Sequence, residues 1–196
     1  MSSGAGGSDW RSRKRDETRE RIYSVAMRLF DEHGFERVSV GQIAAAAGVS
    51  VPTFYSHFAN KDQVVIVPIS QRTIDDLVAG QPEGLPPAER VRGAVHAFFA
   101  GYGGEERDAL LARWRIIART PSLRRRSTEY ERTHAALAAA AMATDGEGDQ
   151  TSAAVEVVAA ATLAAATWAV LAWAEADGRE PLSALLDQAF EALRHA

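Results

Sequence analysis

The chain has no cysteine, which excludes a disulfide framework, thiol catalysis and any cysteine metal site. Lysine is nearly missing too, with only Lys14 and Lys61 among 22 Lys+Arg. Together with heavy alanine use, that bias towards arginine suggests a GC-rich bacterial coding sequence. The five histidines, His33, His57, His96, His134 and His195, fall on separate predicted helices. No HExxH, paired-carboxylate or glycine-rich phosphate motif accompanies them. No catalytic residue, metal ligand or cofactor is therefore expected, and His96, beside Phe98 and Phe99, reads as a core histidine. Sustained alternation of apolar and polar residues is also lacking, as is any repeat of fixed length. An all-α fold of about nine helices follows.

A large net charge is lacking as well. The net charge is −4, too acidic for a protein that binds nucleic acid only by neutralising phosphates. Residues 1–65 carry nine basic residues against eight acidic ones, and the remainder thirteen against eighteen. The acidity thus lies in the C-terminal part, while Arg11, Arg13, Lys14 and Arg15 concentrate positive charge near the start. Residues 1–8, MSSGAGGS, have no apolar core and cannot serve as a signal peptide. A cytoplasmic location is expected, with residues 1–15 as a flexible basic leader whose charges reach phosphates or a minor groove.

What the chain does contain is concentrated between Ser39 and Lys61, SVGQIAAAAGVSVPTFYSHFANK. Ser39 and Gln42 have capping-box spacing, with Val38 and Ile43 at the staple positions, so a helix starts at Val40. Val40, Ile43, Ala44 and Ala47 then form one apolar face, and Gly48 sits where a left-handed C-cap ends the helix. Val49 and Ser50 lead into VPTFYSHF, giving helix, glycine turn and helix, the layout of a helix-turn-helix. In such a unit the second helix enters the major groove. Its apolar residues Val49, Phe54 and Phe58 must pack behind it, which leaves Thr53 and Ser56 to face base edges. Tyr55 and His57 face phosphates, and Lys61 adds charge at the next helix start. The expected DNA-facing set is Ser39, Gln42, Ser50, Val51, Pro52, Thr53, Tyr55, Ser56, His57 and Lys61.

The run F…GF…S…IA..AGVS..TFY.HF.NKD, over roughly residues 17–65, resembles the N-terminal region of the tetracycline-repressor (TetR) family of bacterial regulators. That resemblance implies a helix-turn-helix domain at 16–64, an effector-binding and dimerisation domain at 65–196, and a ligand-released homodimeric repressor on a pseudo-palindromic operator. One departure is Pro52, where the family commonly has glycine or another small residue. Proline biases Val51 away from the helical region, so the recognition helix is expected to begin at Pro52. This departure is also what supports a second reading, a helical small-molecule-binding protein or enzyme that has lost operator binding.

Elsewhere the pattern places a first helix at Asp16–Glu32, closed by Gly34, with Ile22, Ala26, Leu29 and Phe30 on its inner face. A fourth helix, capped by Asn60, is expected to kink or break at Pro68. Helices follow over Ala88–Tyr102, Glu105–Arg119 and Leu123–Thr144, then the break DGEGD at 145–149. Val157–Ala174 carries no charge for eighteen residues, yet its alanines, Thr162 and Thr167 suit a buried helix better than a membrane span. With the last helix it would form a dimeric four-helix seam through Leu163, Leu171, Leu182, Leu186 and Phe190. The resemblance implies an effector pocket, for which Phe98, Phe99, Tyr102, Trp114 and Trp168 are the large flat candidates. The basic run RWRIIARTPSLRRR, Arg113–Arg126, is similar to a fatty acyl-CoA-responsive subgroup of the family. Arg113, Arg119 and Arg124 would then hold an anionic effector such as acyl-CoA, the alternative being an unknown apolar or aromatic ligand.

Overall fold

The computed structural model describes residues 5–143 and 152–195; the expected break at 145–149 lies outside them. Among the described residues there are ten α-helices, one 3-10 turn and no strand. They divide into two compact units, residues 1–67 and 68–196.

In the first unit, α1 (Ala5–His33) is longer than the sequence pattern indicates. It begins at Ala5 instead of Asp16, so the basic run at 11–15 lies within the helix. The glycines at 6 and 7 have the weakest helix propensity apart from proline, but Trp10 and Lys14, one turn apart, make a cation–π contact of 5.0 Å along the extension. Asp16 and Glu17 consequently lie in the helix interior, away from the first-turn dipole. Ile22, Ala26 and Phe30 are buried as one stripe. Gly34, at φ 82°, closes the helix and leads into the 3-10 turn Phe35–Arg37. Two short helices follow, α2 (Val40–Ala46) and α3 (Val51–His57), and then the single turn α4 (Asp62–Val65). The core of this unit is Ile22, Phe30, Val38, Ile43, Phe54 and Phe58 with their neighbours.

The expected fourth helix is two pieces, which raises the count from nine to ten. Pro68 has no N–H to give, so the chain leaves α4 extended and restarts at α5 (Gln71–Ala79). Ser70 caps the restart, its Oγ accepting from the Thr73 N–H at 3.1 Å.

In the second unit, α5 is followed by α6 (Pro87–Ala100), α7 (Gly104–Arg119), α8 (Pro121–Ala143), α9 (Ser152–Glu175) and α10 (Leu182–Arg194). Helix α9 is the axis, packing against α6, α7, α8 and α10. Its inner face is Ala159, Thr162, Ala166, Ala169, Val170 and Trp173, a 3.6-residue stripe in which alanine permits close approach. Thr162 satisfies its hydroxyl by donating to the Val158 carbonyl at 2.8 Å. The helix is long and apolar enough to cross a membrane by length and composition, and 39% of that window is buried within the chain. The sequence reading made it a buried helix; in the single chain it has an inner face and an outer one. The outer face carries Val157 and Trp168, exposed by 67% and 57%.

The seam residues also differ from expectation. Leu186 and Phe190 are 1% and 3% exposed because α10 turns its apolar stripe onto α9 and α6 of the same chain. They are intrachain core, and Leu163, Leu171 and Leu182 are half-buried.

Candidate nucleic-acid interface

Helix α2 is set by local chemistry. The Gln42 N–H donates to Ser39 Oγ at 3.2 Å, and the Ser39 N–H donates to Gln42 Oε1 at 2.8 Å, which completes the capping box. Its far end is a Schellman motif: Gly48 at φ 65° donates to the Ala45 carbonyl, and the Val49 N–H donates to Ala44 at 2.9 Å. The glycine is required here because the turn needs a left-handed residue.

Helix α3 then starts at Val51 and not at Pro52. Pro52 sits in the first turn, where its missing N–H would have had no intrahelical partner. Ser50 Oγ accepts from the Thr53 N–H at 3.1 Å and lies 2.7 Å from Thr53 Oγ1. Ser56 Oγ donates to the Thr53 carbonyl at 2.7 Å. One side of the helix is sealed: Phe54 is fully buried, and its ring meets Phe58 at 5.7 Å. On the other side Val51, Pro52, Tyr55 and Ser56 are exposed and Thr53 is half-exposed, with Tyr55 showing 51% of its surface. Ser50, Val51, Pro52, Thr53, Tyr55 and Ser56 are thus brought together on one outward surface. Ser39 and Gln42 are exposed on α2, though each is engaged in its cap.

Two candidates sit differently. Lys61 is turned inward, donating to the carbonyls of Phe35 at 2.8 Å and Val38 at 3.0 Å, with its ammonium 4.1 Å from the centre of the Phe35 ring. Its charge thus holds the turn that leads into α2, adding a donor to the Phe35 carbonyl, which also accepts the Val38 N–H, and to that of Val38. His57 is half-buried, and its Nδ1 is buried without a partner. Burial first, then the nearby guanidinium groups of Arg15 and Arg19, push its pKa below the ordinary value.

The sequence reading missed the part played by arginines on α1. Arg19 donates through Nη1 to the His57 carbonyl and lies 4.2 Å over the Phe58 ring. Arg21 Nε donates to the Ala47 carbonyl at 3.0 Å. Each cation therefore sits at the C-terminal end of one of the two short helices, where the dipole and unpaired carbonyls favour it. Nothing in the local spacing of Arg19 and Arg21 signals these contacts.

In the second unit the effector candidates are scattered. Phe99 and Tyr102 line a cavity of about 510 Å³ together with His96, Arg107, Leu110, Trp173 and Arg179. Phe98 stacks edge-on against Phe99 and Tyr102 at 5.1 and 5.5 Å. Trp114 packs against the core, whereas Trp168 points outward. Arg113, Arg119 and Arg124 do not line this cavity, and Arg124 is bound to Glu175. His96 is not the core residue expected; it is half-buried, with Nε2 3.1 Å from Asp187 Oδ1.

Residues 22–66 match the family model described as bacterial regulatory proteins, tetR family, and residues 85–196 match the model of the MftR C-terminal domain. Among characterised proteins, the chain is similar to the HTH-type transcriptional regulator TcmR of Streptomyces glaucescens, 32% identical over 94% of this chain and 86% of that one. The HTH-type transcriptional activator FasR of Mycolicibacterium smegmatis is 36% identical, over 43% of this chain and 40% of its own length. The fold is shared with NalD, described as the secondary repressor of the MexAB-OprM multidrug efflux pump in Pseudomonas aeruginosa, at TM-score 0.58 and 22% identity over 90% of this chain and 96% of NalD. It is shared too with the repressor FadR of Thermus thermophilus, solved in complex with lauroyl-CoA, at TM-score 0.51 and 22% identity over 89% of this chain and 92% of FadR.

Proposed function

The chain belongs to the tetR family of bacterial regulatory proteins and is a DNA-binding transcriptional regulator, and from that premise we propose a homodimeric, ligand-released repressor of the bacterial cytoplasm. The observation that carries the reading is the division of α3 into a sealed side, Phe54 backed by Phe58 just beyond its end, and an open one, Val51, Pro52, Tyr55 and Ser56. A two-turn helix with such an open face, held at its C-terminal end by Arg19, suits the major groove. Tyr55 and His57 are assigned to phosphates, and Thr53 and Ser56 to base edges. Lys61 is assigned to positioning α2 and not to DNA.

Reading an operator with two half-sites requires two copies. The seam is assigned to the outer face of α9, where Val157, Ala164 and Trp168 recur at helical spacing and are exposed in the single chain. Leu163 and Leu171 flank that stripe. A second α9 laid against it would bury an apolar face that α10 does not cover. The second unit is assigned to a small-molecule effector, whose binding and DNA binding weaken each other by the same coupling energy. The reading as a protein that has lost operator binding loses its support, because Pro52 is accommodated in the first turn of α3.

The test is transcription in vitro from a promoter that carries a site selected on the purified protein from random genomic fragments. Transcription should fall as protein is added. Undiminished or increased transcription would contradict the repressor reading.

A further inference from the structure

We propose that the cavity between the ends of α6 and α9 and the starts of α7 and α10 binds a small organic anion with an aromatic, apolar body. The inference rests on the effector reading of this unit for its regulatory consequence only. The chemistry of the walls carries it. In a part of the chain with five more acidic than basic residues, this cavity is lined by Arg107, Arg179 and His96 and by no carboxylate. His96 is paired with Asp187 and Arg107 with Asp108 at 3.8 Å, but Arg179 has no acidic partner among the described residues. Arg107 holds the wall itself, donating through Nη2 to the Gly178 carbonyl at 3.3 Å with its guanidinium 5.3 Å from the Trp173 ring centre.

A second, independent observation is Trp173. Its side chain is fully buried, yet Nε1 has no hydrogen-bond partner. An indole N–H can only donate, so it needs an acceptor, and leaving it unpaired is costly. Gly178, at φ 68°, lies beside it; a Cβ there would come within 3.4 Å of Nε1 and 2.7 Å of Leu111 Cδ2. Gly178 and Trp173 both line the cavity, and the absent side chain at 178 keeps a Cβ off the buried indole N–H. A carboxylate oxygen supplies the acceptor that the Trp173 indole and the Arg179 guanidinium lack. Phe99, Tyr102 and Leu182 would enclose the rest, and about 510 Å³ is within the range of ligand pockets.

The test is calorimetric titration of the full chain with 2-naphthoate and with 2-naphthamide, which share shape and differ in charge. The naphthoate should bind about tenfold more tightly, the difference of one charge-assisted contact. Arg179→Gln, an exposed position outside the core, should remove that preference, and Arg179→Lys should keep most of it. Equal affinity for the two compounds, no binding of naphthoate at millimolar concentration, or parental naphthoate affinity in Arg179→Gln would each overturn the site. A mobility-shift titration with saturating naphthoate separates the two readings. Release of the operator supports both, whereas naphthoate binding with unchanged operator affinity keeps the site and defeats the effector reading.

Discussion

The ammonium of Lys61 sits 4.1 Å above the ring of Phe35 while donating to that residue's own carbonyl at 2.8 Å. A lysine that looks like a phosphate contact in the sequence is therefore a strut for the turn preceding the helix-turn-helix. Lys61→Met should lower the stability of the first unit by about 1–2 kcal/mol, the scale of a charged hydrogen bond plus a partly exposed cation–π contact. The salt dependence of DNA binding should stay as it was. A stable variant with a shallower salt slope would return Lys61 to the phosphates.

Neighbours on α3 should separate cleanly. Phe54→Ala should cost about 3–5 kcal/mol in denaturant unfolding, as full burial implies. Tyr55→Ala should unfold like the parent and yet bind the operator at least tenfold more weakly, the scale of one charge-assisted phosphate contact. Parental affinity for Tyr55→Ala would show that this face does not meet DNA.

The two short helices were legible in the sequence because their ends are written in local residues: Ser39, Gln42, Gly48 and Ser50 each act within five positions of themselves. Their packing partners were not. Arg19 and Arg21 reach Phe58 and Ala47 across more than twenty residues of chain, and no periodicity records such contacts. The start of α1 was missed because Gly6 and Gly7 are strong breakers by propensity. The error in the last helix was of another kind. An amphipathic stripe says that Leu186 and Phe190 are buried, but not whether α9 of the same chain or of a second copy covers them.

That distinction is measurable. Trp168→Glu should leave the helical content intact and shift the sedimentation coefficient from dimer to monomer, because the side chain is exposed in the single chain. Leu186→Asp should instead unfold the second unit, since it places a charge in sealed core. A stable dimer for Trp168→Glu would move the seam off α9.

His134 makes a pH prediction. Its Nε2 accepts the Ile69 N–H at 3.2 Å, which only the neutral ring can do, and burial lowers its pKa from the ordinary 6.5. The unfolded chain then takes up the proton first. Stability from this group is complete above pH 6.5 and is lost as pH falls through 6.5 towards the lowered folded value. His57 is shifted in the same direction, so the measurement compares unfolding free energies of His57→Gln and His57→Gln/His134→Gln across that range. The double variant should show the flatter profile; identical profiles would remove His134 from the account.

Selection of DNA fragments from a random library on the purified full chain tests the central claim most directly. The account predicts enrichment of an inverted repeat, with half-sites separated by a whole number of helical turns. It also predicts that Tyr55→Ala, presented with the same library, enriches nothing above background. Enrichment of fragments with no repeat, or the same repeat recovered by Tyr55→Ala, would contradict a dimer that reads DNA through α3.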